Sequence, residues 1–63
     1  MRLVKVDELL DIEEQKFCVS YVNPEYVTCV GDEEDPSYSY CKLVGGRHVV
    51  VKMPKARLVQ LLM

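Results

Sequence analysis

Few residues of this 63-residue chain are of types that perform chemistry. His48 is the single histidine, the residue type that titrates near neutral pH, and it stands in a Val-rich run with no acid close in sequence. A general base needs an activating partner within hydrogen-bonding reach. Ser20, Ser37 and Ser39 lack the glycine pattern of a nucleophile elbow. We therefore predict no catalytic residue, and for His48 a structural role in a strand.

The cysteines and acids do not have the spacing of a metal site. Cys18, Cys29 and Cys41 are far apart in sequence, whereas structural zinc sites usually contain close ligand pairs. The acidic run 32–35 lacks the alternating spacing and distal Glu of a calcium loop. We predict no metal and no cofactor, with the cysteines acting as small buried hydrophobes. No segment has the length of a signal-peptide core or a membrane span, which predicts a cytoplasmic protein with reduced thiols and no membrane association.

The length allows one domain, residues 1–63, and the residue pattern predicts mostly strands. Residues 2–6, 17–22 and 25–30 have the alternation or the β-branched and aromatic content of strands. Between the last two, Asn23-Pro24 predicts a sharp corner, because proline lacks the amide hydrogen of a central strand. Residues 7–16 remain open: either Asp7 caps a short helix, or the stretch is a wide connection. Residues 31–37 predict a solvated loop.

A hairpin around Gly45-Gly46 is the clearest local signal. The two glycines fit a two-residue turn that requires positive φ. That register places Cys41 opposite Val50 and Leu43 opposite His48. It also pairs Lys42 with Val49 and Tyr40 with Val51, and it predicts two largely apolar faces: Cys41, Leu43 and Val50 on one, and Tyr40, Val44, Val49 and Val51 on the other.

One short C-terminal helix follows, with Pro54 at its first position and an apolar stripe of Leu58, Val59, Leu61 and Leu62. The predicted fold is thus an antiparallel sheet of about four or five strands with one helix. A single helix covers only one of the two apolar faces, and a domain this small has a marginal core. We therefore predict a homo-oligomer, most simply a dimer. The candidate partner-binding residues are Tyr38, Tyr40, Val49, Val50 and Val51.

The segment 21–30, a polar loop, and then residues 41–62 together resemble the small FlbD-type proteins of flagellar operons. They also resemble the C-terminal half of LytTR-type DNA-binding domains. The matching features are Asn23 and Pro24 before a strand, and Gly46 in a hairpin that leads to a short helix. The connection before residue 17 is longer than in the FlbD type, and half of a LytTR domain has no counterpart. The resemblance implies a small regulatory module of bacterial or phage type that is not an enzyme.

The charge distribution helps to choose between a protein-interaction module and a nucleic-acid-binding protein. Residues 1–35 contain three bases and all ten acids, 3 − 10 = −7, whereas residues 36–63 contain five bases and no acid. A strongly acidic segment in so small a body disfavours contact with nucleic acid, although such binding stays open as an alternative. Another alternative is a phage-encoded inhibitor whose acidic part occupies a basic site on a host protein. We predict a non-catalytic protein-interaction module. The bases that would serve the nucleic-acid alternative are Arg47, Lys52, Lys55 and Arg57.

Overall fold

Five segments form one antiparallel sheet in the computed structural model, which describes residues 2–63. The strands are β1 (Val4–Asp11), β2 (Lys16–Val22), β3 (Val27–Asp32), β4 (Ser39–Leu43) and β5 (His48–Val51). The helix α1 (Lys55–Leu62) follows, and the strand order is β2-β1-β5-β4-β3. The prediction of a mostly β fold with a short C-terminal helix is confirmed.

The ambiguous stretch 7–16 is the second half of β1 and a tight turn. Leu9 pairs with Phe17, and Asp11 pairs with Lys16 after a register shift. The carboxylate of Asp11 then accepts hydrogen bonds from the backbone amides of residues 13 and 14, at 2.9 and 3.3 Å, which closes the turn. The helix alternative is therefore wrong, because Asp7 is a strand residue and its backbone is used by the sheet.

The chain turns at Asn23-Pro24, as predicted. The side chain of Asn23 accepts a hydrogen bond from the amide of Glu25 at 3.0 Å, and a short 3-10 helix spans Pro24–Tyr26. The fixed φ of proline suits this first helical position. The next strand begins at Val27, two residues later than the sequence indicated.

The β4–β5 hairpin contains the predicted glycine turn but has a different register. Gly45 and Gly46 have φ of 95° and 91°, a region that residues with side chains rarely adopt. The loop, however, spans residues 44–47, and the carbonyl of Leu43 accepts a hydrogen bond from the amide of Gly46 at 3.0 Å. The predicted pairing is wrong by one residue. The observed pairs are Lys42 with His48, Cys41 with Val49, Tyr40 with Val50 and Ser39 with Val51.

The core lies between the sheet and α1. Leu58 is the one fully buried residue of the helix, with an exposed fraction of 0%, and it packs against a cluster of buried sheet residues. Burial of one such side chain contributes about 1.5–3 kcal/mol, so this contact is a main attachment of the helix. Pro54 precedes the first helical residue instead of occupying it. The buried sheet residues are Val4, Val6, Val22, Cys41, Val49 and Val51.

Candidate partner-binding surface

The side of the sheet opposite α1 is only partly covered. Side chains alternate along a strand, so the residues between the core positions point to this side. Cross-strand pairs place Leu9 beside Phe17 and Tyr40 beside Val50 on it. These four residues are half-buried, and Tyr38 next to them is 8% exposed. We call Leu9, Phe17, Tyr38, Tyr40 and Val50 the open face.

Two stacked rings fix the floor of the open face near β2. The rings of Phe17 and Tyr38 are almost parallel, at 7°, with centroids 6.5 Å apart. The hydroxyl of Tyr38 donates a hydrogen bond to Oε1 of Gln15 at 3.1 Å, and the Nζ of Lys52 lies 5.1 Å from the centroid of Phe17. The hydrogen bond and the cation–π contact restrain the rings, which makes this part of the surface preorganised.

Tyr40 is positioned by a glycine on the neighbouring strand. It pairs with Gly31, and a Cβ added at Gly31 would overlap the phenol ring of Tyr40. The ring also meets the imidazole of His48 edge-on, with centroids 4.7 Å apart. The fold brings Glu33 to within 3.9 Å of Nε2 of His48, an acid that is not close to it in sequence. His48 therefore lies on a sheet face between an aromatic ring and an acid.

A groove separates the open face from the acidic loop. Its apolar wall consists of Leu9, Ile12, Tyr38 and Val50, and its volume is about 480 Å³. The opposite wall is formed by residues 33–35, which we call the acid loop. The last acid of the loop is held in place, because its carboxylate accepts a hydrogen bond from the amide of residue 37 at 2.9 Å. The groove thus combines an apolar wall with three consecutive carboxylates.

The predicted partner-binding residues divide between the two sides of the sheet. Tyr40 and Val50 lie half-buried on the open face, and Tyr38 lines the groove although it is largely buried. Val49 and Val51 have exposed fractions of 0% in the core, so they cannot contact a partner while the chain is folded. That part of the prediction is corrected, because the sequence did not show which face of β5 the helix covers, and α1 covers the face of Val49 and Val51.

Sequence reasoning missed three residues of this surface, namely Leu9, Ile12 and Phe17. Leu9 and Ile12 stand in the stretch whose secondary structure was left open, and Phe17 was counted only as a strand residue. A strand over residues 4–11 would have placed Leu9 on the face opposite Val4 and Val6, and that alternation is the signal that could have found it.

The four bases of the nucleic-acid alternative do not form one patch. Arg47 donates a hydrogen bond to the Glu8 carboxylate at 3.1 Å, and the Nζ of Lys55 lies 4.0 Å from Asp32. Lys52 lies over the ring of Phe17, as described above. Lys52 and Arg57 line the same surface depression. Because two of the bases face carboxylates, the basic footprint that duplex binding requires is weak.

A polar cluster on the helix side of the sheet lies near the buried Cys41. Oε1 of Glu8 accepts hydrogen bonds from Oγ of Ser20 at 2.7 Å and from Arg47. Burial raises the pKa of the nearby Cys41 thiol above its ordinary value. The negative charge of Glu8 and the neighbouring Cys29 raise this pKa further, and Arg47 opposes them. A thiol that stays protonated is a poor nucleophile.

Within residues 2–63, no group of three or more His, Cys, Asp or Glu side chains is arranged to hold a metal ion. The helix in this part of the chain is too short to cross a membrane. No family model matches the chain, and no curated protein or solved structure matches it.

Proposed function

We propose that this protein is a non-catalytic interaction module that binds a basic segment of a partner protein in the groove between the open face and the acid loop. The observation that supports this proposal is the combination of an apolar wall with three consecutive acids in one groove. The resemblance described above is compatible with a regulatory module of bacterial or phage type. The three free cysteines fit action in the cytoplasm, where thiols stay reduced.

The apolar wall supplies the binding energy in this proposal. Leu9 and Val50 are half-buried and Ile12 is 62% exposed, so a ligand side chain placed there removes apolar surface from water. The floor is held by the Phe17–Tyr38 stack, and a preorganised surface loses little entropy when it binds.

The acid loop selects basic segments over acidic ones in this proposal. Glu33 and Glu34 both line the groove, and a basic segment would bring opposite charges to them, which favours encounter and excludes acidic segments. The same charge distribution suits the alternative in which the acidic part of the chain occupies a basic site on a host protein. It opposes nucleic acid, whose phosphates the loop would repel.

A peptide titration tests the proposal. The probe is a short synthetic peptide that alternates Lys and Leu, and its control replaces every Lys by Glu. We expect the Lys-Leu peptide to shift the amide resonances of Leu9, Val50 and the acid loop in a salt-dependent manner, whereas the Glu-Leu peptide leaves them unchanged. Equal binding of both peptides, or shifts confined to α1 or β3, would contradict the proposal.

Two matched variants locate the charge effect. Glu34→Gln removes one carboxylate from the groove, and Glu25→Gln makes the same change at an exposed residue of the 3-10 helix. Loss of one exposed charge contact of about 0.3–1 kcal/mol corresponds to a roughly two- to fivefold weaker affinity. We expect this weakening for Glu34→Gln and no comparable change for Glu25→Gln.

A further inference from the structure

The strand β2 is an unprotected edge of the sheet. It pairs with β1 on one side and has no strand on the other. It is seven residues long, contains no Pro or Gly, and carries one charge, Lys16, at its first position. Sheet edges of natural proteins are usually blunted by charges, proline, bulges or short length, because free backbone groups attract other strands. The run 17–22 has none of these devices.

The opposite edge of the sheet, β3, is blunted. Its pairing with β4 is interrupted by a register shift between Val27 and Cys29, and it ends in Gly31 and Asp32 beside the acid loop. A bulge twists an edge, and the like charges of a second acid loop would repel a second copy there. The two edges therefore differ, and only β2 presents a regular ladder of free backbone groups.

The direction of these free groups follows from one hydrogen bond. The amide of Lys52 donates to the carbonyl of Asp7 at 3.2 Å, so Asp7 points its backbone toward β5. Neighbouring residues of a strand point their backbone groups in opposite directions, so the even-numbered residues of β1 face β2. Their partners on β2 face inward. They are Cys18, Ser20 and Val22.

It follows that Phe17, Val19 and Tyr21 direct their amides and carbonyls away from the sheet. Three residues with one donor and one acceptor each make six free backbone groups in a row. Their side chains all point to the same side as the open face, and those of Val19 and Tyr21 are 54% and 62% exposed.

We propose that β2 pairs antiparallel with β2 of a second copy of this chain, about a twofold axis at Val19. In this register Val19 faces its own copy and Phe17 faces Tyr21 of the partner subunit. All three outward residues of each strand then form hydrogen-bonded pairs, six bonds in total. A shift of the register by two residues in either direction leaves one of the three outward residues without a strand partner. The strand is thus self-complementary only in the Val19 register.

The side chains agree with this register. Phe17 and Tyr21 of the partner subunit become direct cross-strand neighbours on one face, an aromatic pair of the kind that stabilises sheets. The pair extends the existing stack of Phe17 on Tyr38 across the twofold axis. The groove lies between the open face and the acid loop, away from the free edge of β2, so this inference does not depend on the proposed function.

Light scattering on matched variants tests the interface. We expect the wild type to show twice the 7.3 kDa chain mass in the micromolar to millimolar range. Val19→Lys places a charge at the centre of the interface and should give monomer. It should still fold, because Val19 is exposed and pairs with Asp7, a suitable neighbour for a lysine. The control, Cys29→Glu, likewise adds a charge opposite an oppositely charged strand neighbour, here Lys42, on the exposed part of the β3 edge, and should remain a dimer.

Amide hydrogen exchange provides a second readout that a fold defect would not mimic. The amides of Cys18, Ser20 and Val22 are bonded to β1 and should exchange slowly in every folded variant. The amides of 17, 19 and 21 should be protected in the wild type and exposed in Val19→Lys. A wild type that stays monomeric at millimolar concentration overturns the proposal. So does a dimer that survives Val19→Lys, or one that dissociates on Cys29→Glu instead.

Discussion

Val49 and Val50 are adjacent on β5, yet replacement of each by Asp should have very different results. Val49 has an exposed fraction of 0% in the core with Leu58, whereas Val50 is half-buried and lines the groove of the open face. We expect Val49→Asp to unfold the chain and Val50→Asp to leave it folded.

The magnitudes follow from burial. An unpaired carboxylate in the core costs about 3–5 kcal/mol, and loss of the buried valine adds about 1.5–3 kcal/mol. At roughly 0.05–0.15 kcal/mol per residue, a chain of this length has a total stability of about 3–9 kcal/mol. Val49→Asp therefore removes most or all of it. For Val50→Asp the main term is strand propensity, about 1 kcal/mol, which the fold can tolerate.

Circular dichroism and urea unfolding measure the secondary structure and the free energy of unfolding of both variants. Val50→Asn controls for side-chain size and strand propensity without adding a charge. The reasoning is refuted if Val49→Asp stays folded while Val50→Asp unfolds. That outcome would mean that the hairpin has the register with Cys41 opposite Val50, and that the side chains of β5 face the other way.

Two further predictions concern Tyr40 and Cys41. Gly31→Ala should displace the ring of Tyr40 from His48 at a cost of about 1 kcal/mol, since the ring can swing toward solvent. Loss of the ring-current shift of His48 in NMR spectra would show this displacement. An unchanged shift would contradict the close approach of the Tyr40 ring to Gly31. The pKa of the buried Cys41 thiol is raised above its ordinary value of 9.0, so as the pH rises the thiol of the unfolded chain loses its proton before that of the folded chain. The free energy of unfolding should therefore keep its full value below pH 9.0 and decrease as the pH rises through the pKa of the folded state. Urea titrations of the wild type and Cys41→Val across this range should differ in slope, and parallel curves would argue against the assignment.

The β4–β5 hairpin shows which features of a turn can be predicted from residue types and which cannot. Gly45 and Gly46 were predicted at positive φ and have it, because only glycine adopts that region without strain. The register was not predictable from the glycines alone, since they fit a two-residue loop and a four-residue loop equally well. A slip of one residue moves each side chain to the other face of the sheet. What selects the observed register is the burial of Val49 and Val51 in the core with Leu58, a contact between distant parts of the packed fold.

Residues 7–16 were ambiguous for a different reason. Leu9, Leu10 and Ile12 could form one side of a helix, and the adjacent leucines break the alternation of a strand. In the structure, Leu10 falls within the register shift between Leu9 and Asp11, which accounts for the broken pattern. β1 pairs with β2 along most of its length, and with β5, which is distant in sequence, at Glu8. The groove depends on the pairing with β5, so the sequence alone could not bring Leu9 and Ile12 beside Val50.

In the proposed β2–β2 dimer, the twofold symmetry places the two peptide grooves on the same side of one continuous sheet. The side chains of Phe17, Val19 and Tyr21 point to the same side as the open face, and a twofold axis perpendicular to the sheet keeps that side common to both copies. Five strand spacings of about 4.8 Å separate β5 from β5 of the partner subunit, so the two grooves would lie roughly 24 Å apart before twist is considered. A partner with two basic segments at that separation would bind both grooves and gain affinity from the second, effectively intramolecular contact. A tandem Lys-Leu peptide should therefore bind the wild type more tightly than a single one does, and this advantage should disappear in Val19→Lys.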